Sequence, residues 1–401
     1  MYMDRITDLN EKKLTFSKLA LYYSVLFVIF ALGIFSVFII FGKSFIQTGD
    51  GFKQGYFWTA EIKHLLSSVL SGNGIPQWNW SRGLGMQYLY RLDPFNLFAS
   101  LFPLKYLEIG ITISLVLKLY FGGLAYLLFA WEQKMSNYQC VLGSLLYIFS
   151  TWFINITMTQ SSFIFISFMI PLLMLGIDRI YRGRSPVLFI VAVAYFLIRD
   201  TYLAYMAAIV AVIFMLLRYF AYNDRFDIKN YFVNLGRFIF YGLLGAMISA
   251  AFFLQFVLAT FRASTDSPYS GALELLANPS FFTDLGKMLT TYGLTKGYTF
   301  IGLPILALLL LPLALKKISL KNTSVLMTVI LLAMMFFPFF GRMFNGFSYS
   351  TGRWYVMIVF FASWATMEVL DLKVLQNRKN LIIMAVWLAV IAAGTLGFDA
   401  V

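Results

Sequence analysis

Long apolar runs, separated by short polar connections, fill almost the whole of this 401-residue chain. They lie at Leu19–Gly42, Ile109–Ala130, Cys140–Thr157, Phe163–Ile180, Val187–Ile198, Thr201–Tyr219, Phe238–Phe261, Thr299–Leu315, Thr323–Phe340, Trp354–Leu370 and Leu381–Phe398. A helix that crosses a bilayer needs about 20 mainly apolar residues. Unsatisfied backbone groups are so costly in lipid that only helices and closed barrels span it. Unbroken runs, rather than alternating segments of about ten residues, exclude the barrel. The pattern predicts an all-α polytopic integral membrane protein with about eleven transmembrane helices. Val187–Ile198 is too short to cross alone, so Val187–Tyr219 reads as one broken segment or as two helices.

One connection stands apart. Residues 43–108 form a loop far longer than most inter-helix connections. The chain thus divides into an N-terminal stretch, 1–18, and a single transmembrane domain, 19–401, with 43–108 as its long first loop. Within it, Tyr56–Leu70 spaces Ile62, Leu65, Leu66, Val69 and Leu70 at helical intervals, with Glu61, Lys63 and His64 between them. That spacing predicts an amphipathic helix on the outer interface. Ser71-Gly72-Asn73-Gly74-Ile75-Pro76 ends it. Trp78 and Trp80 follow, beside Asn79 and Arg82. Such rings suit the headgroup level, with stacking on a sugar as the alternative. Asp93 before Pro94 predicts a capped helix start.

Composition supports the membrane reading: 60% of the residues are hydrophobic and 12% charged, against roughly 25% charged in soluble proteins. A net charge of +13 would admit a nucleic-acid partner, but the basic residues cluster in alternate connections. These hold Arg5, Lys12, Lys13 and Lys18; Lys134; Arg179, Arg182 and Arg184; Arg218, Arg225, Lys229 and Arg237; Lys316, Lys317 and Lys321; and Lys373, Arg378 and Lys379. The positive-inside rule puts those connections and the N-terminus in the cytoplasm. It puts the long loop, the Arg262–Tyr298 loop and the Gly341–Arg353 loop outside. The charge is a topology signal, and no nucleic acid is expected. The N-terminus is too polar for a cleaved signal peptide, so the first helix is expected to stay.

Cys140 is the single cysteine and His64 the single histidine. Disulfides within the chain, Cys- or His-based metal clusters and Ser-His-Asp catalysis are therefore excluded. Acid–base chemistry must rest on carboxylates, Lys or Tyr. Asp50, in Thr48-Gly49-Asp50-Gly51 directly after the first run, would sit at the bilayer surface and is the candidate general base. Gly-Asp-Gly is also ordinary turn chemistry. Arg199 and Asp200 lie between apolar runs, at or inside the membrane, where ionisable residues face a cavity or a partner. They read as a self-satisfied pair at a helix break or as substrate contacts. Arg82, Arg342 and Arg353 are candidate phosphate contacts on the same face, with Arg353 beside Trp354 equally suited to anchor the interface. Asp93 reads as a helix cap or a second functional carboxylate. The sequence specifies no cofactor with certainty. There is room for a divalent cation bridging Asp50 and Asp93, though no ligand spacing specifies one.

Several motifs, taken in order, resemble the YfhO-type bacterial membrane proteins: the Asp50 turn, SGNGIPQWNWSRGLG at Ser71–Gly85 and RLDPFNLFASLFP at Arg91–Pro103. So do RDTYLAYM at Arg199–Met206, YTFIGLPILALL at Tyr298–Leu309 and GFSYSTGRWYV at Gly346–Val356. The resemblance implies a GT-C-like glycosyltransferase of the Gram-positive cell envelope. Its donor would be a sugar on polyprenyl phosphate, its acceptor teichoic acid or a related glycopolymer, and its catalytic carboxylate Asp50. It also implies a multi-pass protein of the bacterial plasma membrane in contact with lipid. Members of that group usually continue into a large external C-terminal region, whereas this sequence ends at Val401. A split system with a protein partner supplying that region, a shorter subfamily or a truncated sequence would each explain the ending.

Transfer from such a donor needs a carboxylate to take the acceptor proton, cations for the leaving phosphate and an apolar path for the carrier chain. Asp50, with Arg199, Asp200, Arg353, Arg82, Arg342, Asp93, Trp78 and Trp80 about it, meets those needs. The rival readings are a transporter or flippase of a lipid-linked precursor and a non-catalytic subunit of a polymer-modifying complex.

Overall fold

Residues 13–76, 78–79, 84–85, 93–262, 276–290 and 300–396 are described by a computed structural model. Among them, five helices are long and apolar enough to cross a membrane. These are α1 (Phe16–Ile40), α4 (Leu107–Glu132), α9 (Thr201–Tyr222), α10 (Ile228–Ile248) and α18 (Arg378–Leu396). The pair α5 (Asn137–Ile148) and α6 (Thr151–Thr159), bent by 41° at their junction, has the apolar length of a sixth crossing or of a re-entrant loop. The free N–H of Thr151 at that bend donates to the carbonyl of Gly302, 3.0 Å away.

Other apolar runs form shorter helices: α7 (Ile166–Tyr181), α8 (Val187–Arg199), α13 (Ile305–Leu315), α14 (Thr323–Met334) and α16 (Val356–Met367). A helix of 11–13 residues, such as α8, α13 or α14, reaches about 17–20 Å, short of the ~30 Å hydrocarbon core. Among the described residues the apolar runs are helical, as an all-α polytopic membrane protein requires, and five of these helices reach spanning length by themselves. Apolarity outlasts the helix wherever the backbone must turn. Pro304 and the left-handed Gly302 (φ +61°) delay α13, and Pro338 starts a separate short helix, α15 (Pro338–Met343), after α14.

The core centres on α4, α7 and α16. Every residue of α16 is buried, Tyr126 stacks on Tyr147 at 5.0 Å, and Phe129 meets Trp364 edge-on at 4.8 Å. Small residues on α4 allow close approach, as is usual between membrane helices. A side chain at Gly122 would strike Ser167 of α7, and one at Gly123 would strike the Tyr23 ring of α1.

Helices α8 and α9 are two antiparallel helices rather than one broken span. Arg184, just before α8, donates to Glu132 at the end of α4 at 2.9 Å. Arg218, near the end of α9, bonds Asp178 at the end of α7 at 2.8 Å. Both outer ends therefore meet at one end of the bundle, and Asp200, in extended conformation (φ −165°), makes the turn at the other. Connections that the charge pattern assigned to one side thus come together.

The long first loop is largely helical. A π-helical turn, Gly51–Tyr56, runs into α2 (Phe57–Leu70). The expected amphipathic helix lies there, with Thr59–Ile62 buried and His64, Ser67, Val69 and Leu70 exposed, Leu70 at 85%. Beyond it, β1 (Trp78–Asn79) pairs antiparallel with β2 (Leu84–Gly85), and α3 (Pro94–Ser100) packs on α4. In the Arg262–Tyr298 connection, α12 (Pro279–Leu289) sets Gly286 against Gly394 of α18.

Candidate functional site

The connector between α6 and α7 opens with three buried polar residues, Gln160, Ser161 and Ser162. The Gln160 side chain and the Ser162 backbone, with the neighbouring Phe163 ring, define the site. Gln160 Nε2 donates to Asp50 Oδ2, while Gln54 Nε2 donates to Asp50 Oδ1 at 3.1 Å. The Ser162 carbonyl accepts from Arg199 Nη2 at 3.1 Å. The Phe163 ring carries the Arg353 guanidinium 5.6 Å from its centroid. One short connector holds three of the sequence-predicted residues.

Asp50 is placed by backbone contact. Gln47 N donates to the Met158 carbonyl at the end of α6, at 3.2 Å. The π-helical turn then lies so close that a side chain at Gly51 would strike the Met158 carbonyl, and one at Gly55 would strike Ser161 Oγ. π-helical turns are rare and concentrate at functional sites. The half-buried Asp50 is thus anchored to α6, its two oxygens oriented by amide donors. An ionised carboxylate held this way is an acceptor in a fixed direction.

Deeper, Asp93 sits between two cations. It caps α3 by accepting from Asn96 N at 2.7 Å, as its sequence context predicts. Its other oxygen takes Arg199 Nε at 2.8 Å and Lys118 Nζ at 3.1 Å. All three side chains are at most 1% exposed. The Lys118 ammonium, the Arg199 guanidinium and the Asn96 N–H together satisfy both oxygens of this sealed carboxylate. Lys118 also donates to Asn96 Oδ1 at 2.7 Å, and the Phe165 ring lies 5.1 Å from Arg199 Cζ. Lys118 lies fourteen residues before the end of α4, about 21 Å from it by the rise of a helix. The triad therefore sits within membrane depth rather than on the surface.

The predicted Arg199–Asp200 pairing gives way to this arrangement: Arg199 turns to Asp93, and Asp200 caps α9 by accepting from Leu203 N at 3.2 Å. Two residues on, Tyr202 donates to Asn345 Oδ1 at 2.7 Å and accepts from Arg353 Nη1 at 3.4 Å. The guanidinium lies 5.6 Å from the Tyr202 centroid as well as from Phe163. Arg342 lies in the same loop, its carbonyl accepting from Asn345 N at 2.9 Å.

Asp50, Asp93, Arg199, Asp200 and Arg353 thus gather around one connector, with Arg342 joined through Asn345. Trp78 contributes a described backbone only, and Trp80 and Arg82 lie outside the described residues. Lys118, Gln160 and Tyr202 were not predicted. A lysine inside an apolar run (Leu115-Val116-Leu117-Lys118) is itself a signal, since a charge there is costly and marks a function or a partner. Among the described residues no group of three His, Cys, Asp or Glu side chains could hold a metal ion. Both Asp93 oxygens already accept from protein donors, two of them cations, which is poor chemistry for a bridging metal.

The family described as bacterial membrane protein YfhO matches residues 24–400. This chain belongs to the YfhO family. An uncharacterized YfhO protein of Bacillus subtilis (strain 168) is 35% identical over 107 residues, 27% of this chain and 12% of that relative. The match therefore spans a small part of the relative's length. No solved structure matches.

Proposed function

We propose that this YfhO-family protein is a membrane glycosyltransferase that moves a sugar from a polyprenyl-phosphate donor to a hydroxyl of a cell-envelope polymer such as teichoic acid. The observation that carries the reading is the shared connector: Gln160 orients the Asp50 carboxylate, and Phe163, three residues on, supports the Arg353 guanidinium. In this mechanism Asp50 accepts the proton of the acceptor hydroxyl. The hydroxyl oxygen bonds to the anomeric carbon as the bond from that carbon to the phosphate oxygen breaks. The electron pair leaves with the phosphate, where Arg353 offsets the charge. Arg199 and Asp93 keep the framework beneath in place. Trp78, Trp80, Arg82 and Arg342 are assigned to substrate binding, the N-terminus to the cytoplasm and the Asp50 side to the outer face.

The test compares wild type with Asp50→Asn, at equal membrane abundance, for sugar content of the envelope polymers and for transfer from a labelled polyprenyl-phosphate sugar. Loss of sugar with normal abundance supports the reading, and unchanged sugar content removes it.

One observation favours a transporter of a lipid-linked precursor. Bent and interrupted helices around charges at membrane depth are common in transporters, and both the α5–α6 bend and the Lys118–Asp93–Arg199 triad are of that kind. Under that reading Asp50→Asn leaves transfer chemistry untouched, while movement of the labelled lipid across vesicles depends on this chain.

A further inference from the structure

At the end of the bundle away from Asp50, two almost sealed carboxylates each hold two arginines. Glu132 is 7% exposed and Asp178 is fully buried. Glu132 pairs with Arg179 and with Arg184, the latter at 2.9 Å. Asp178 pairs with Arg182 and with Arg218, the latter at 2.8 Å. Neutral groups complete the hydrogen bonding: Gln133 accepts from Arg182 at 3.1 Å and from Arg218 at 2.6 Å, and Tyr222 donates to Asp178 at 2.9 Å, while the Glu368 carboxylate also acts on Arg218.

Around Glu132 two guanidiniums face one carboxylate, an excess of one positive charge, held by the end of α7 and the short turn that leads into α8. The excess faces outward on one side only, where the Arg179 and Arg184 side chains are 28% and 57% exposed. Directly after Arg184, α8 presents Val187 and Val191, 60% and 54% exposed and four residues apart on one face. A cationic head above an exposed apolar strip complements one class of ligand: a phosphodiester anion with an acyl chain attached.

We propose that Arg179 and Arg184, backed by Glu132, form a binding site for the headgroup of an anionic phospholipid, with an acyl chain along Val187 and Val191. Fork-shaped arginines bind phosphate oxygens in fixed geometry, and basic pockets between membrane helices take such headgroups. The site is separate from the transferase site and does not depend on that reading.

The test is native mass spectrometry of the full chain in neutral detergent, with phosphatidylglycerol or phosphatidylcholine added. Wild type should retain phosphatidylglycerol in preference. Arg184→Gln, at a half-exposed position, should lower that retention roughly fivefold without shifting thermal unfolding. Lys229→Gln, which removes an exposed charge at the same end, should leave it unchanged. Equal retention by Arg184→Gln and wild type overturns the proposal. An equal fall in Lys229→Gln also overturns it, because diffuse attraction then suffices. Displacement of the lipid by excess inorganic phosphate would assign the site to the free anion instead.

Discussion

Asp93 and Arg199, 106 positions apart in the chain, meet through a 2.8 Å hydrogen bond from Nε to Oδ2. That bond ties α3 of the first loop to the end of α8, and Lys118 completes the tie to α4. The long loop is therefore fixed to the bundle from below as well as through Asp50.

Asp93→Asn would leave Lys118 and Arg199 facing each other in a buried site without a counter-charge. Breaking a buried ion pair from one side costs about 3–5 kcal/mol. The variant should unfold at lower temperature in detergent and accumulate less in membranes. An unchanged unfolding midpoint would remove the triad from any structural role.

Gly51→Ala should act at a distance on Asp50. Its added methyl meets the Met158 carbonyl, and the overpacking costs roughly 1–3 kcal/mol unless the π-helical turn moves away. Moving the turn would part Asp50 from Gln160. Polymer sugar content should fall towards that of Asp50→Asn while the protein remains in the membrane, as measured by immunoblot and sugar analysis. Full activity in Gly51→Ala would contradict so tight a placement.

For Arg353 the expected order is wild type, then Tyr202→Phe, then Arg353→Lys. Phenylalanine keeps the ring beneath the guanidinium and loses the hydroxyl that links it to Asn345. Lysine keeps the charge but loses the planar fork. Each step should lower transfer from the labelled donor by roughly tenfold. If Arg353→Lys transfers as wild type does, Arg353 does not meet the phosphate.

Much of the fold was legible because burial in lipid imposes a pattern that composition cannot disguise. The apolar runs, the Asp93 cap and the helix over Phe57–Leu70 follow from local rules. Helix length did not, because leucine-rich sequence continues past Pro304 and past the bend at Ser150 without change of polarity. The partner of Arg199 was hidden for a different reason. Adjacency favoured Asp200, whereas the side chain reaches a carboxylate from a distant loop, and that choice is made by helix packing. Lys118 was legible and overlooked: one charge in an apolar run averages away in hydropathy, yet its cost there demands a partner. The connector's role was visible only as four polar residues, Thr159 to Ser162, between two apolar runs.

The bond from Thr151 N to the Gly302 carbonyl also bears on the order of synthesis. The ribosome makes the bend between α5 and α6 some 150 residues before the group that completes it. At ordinary elongation rates that interval lasts roughly 8–30 s. Throughout it, the nascent N-terminal half carries an open helix start beside the connector that bears Gln160. The catalytic carboxylate proposed above would thus reach its final setting only after the C-terminal half has entered the membrane, so a chain interrupted before Gly302 should be inserted yet inactive.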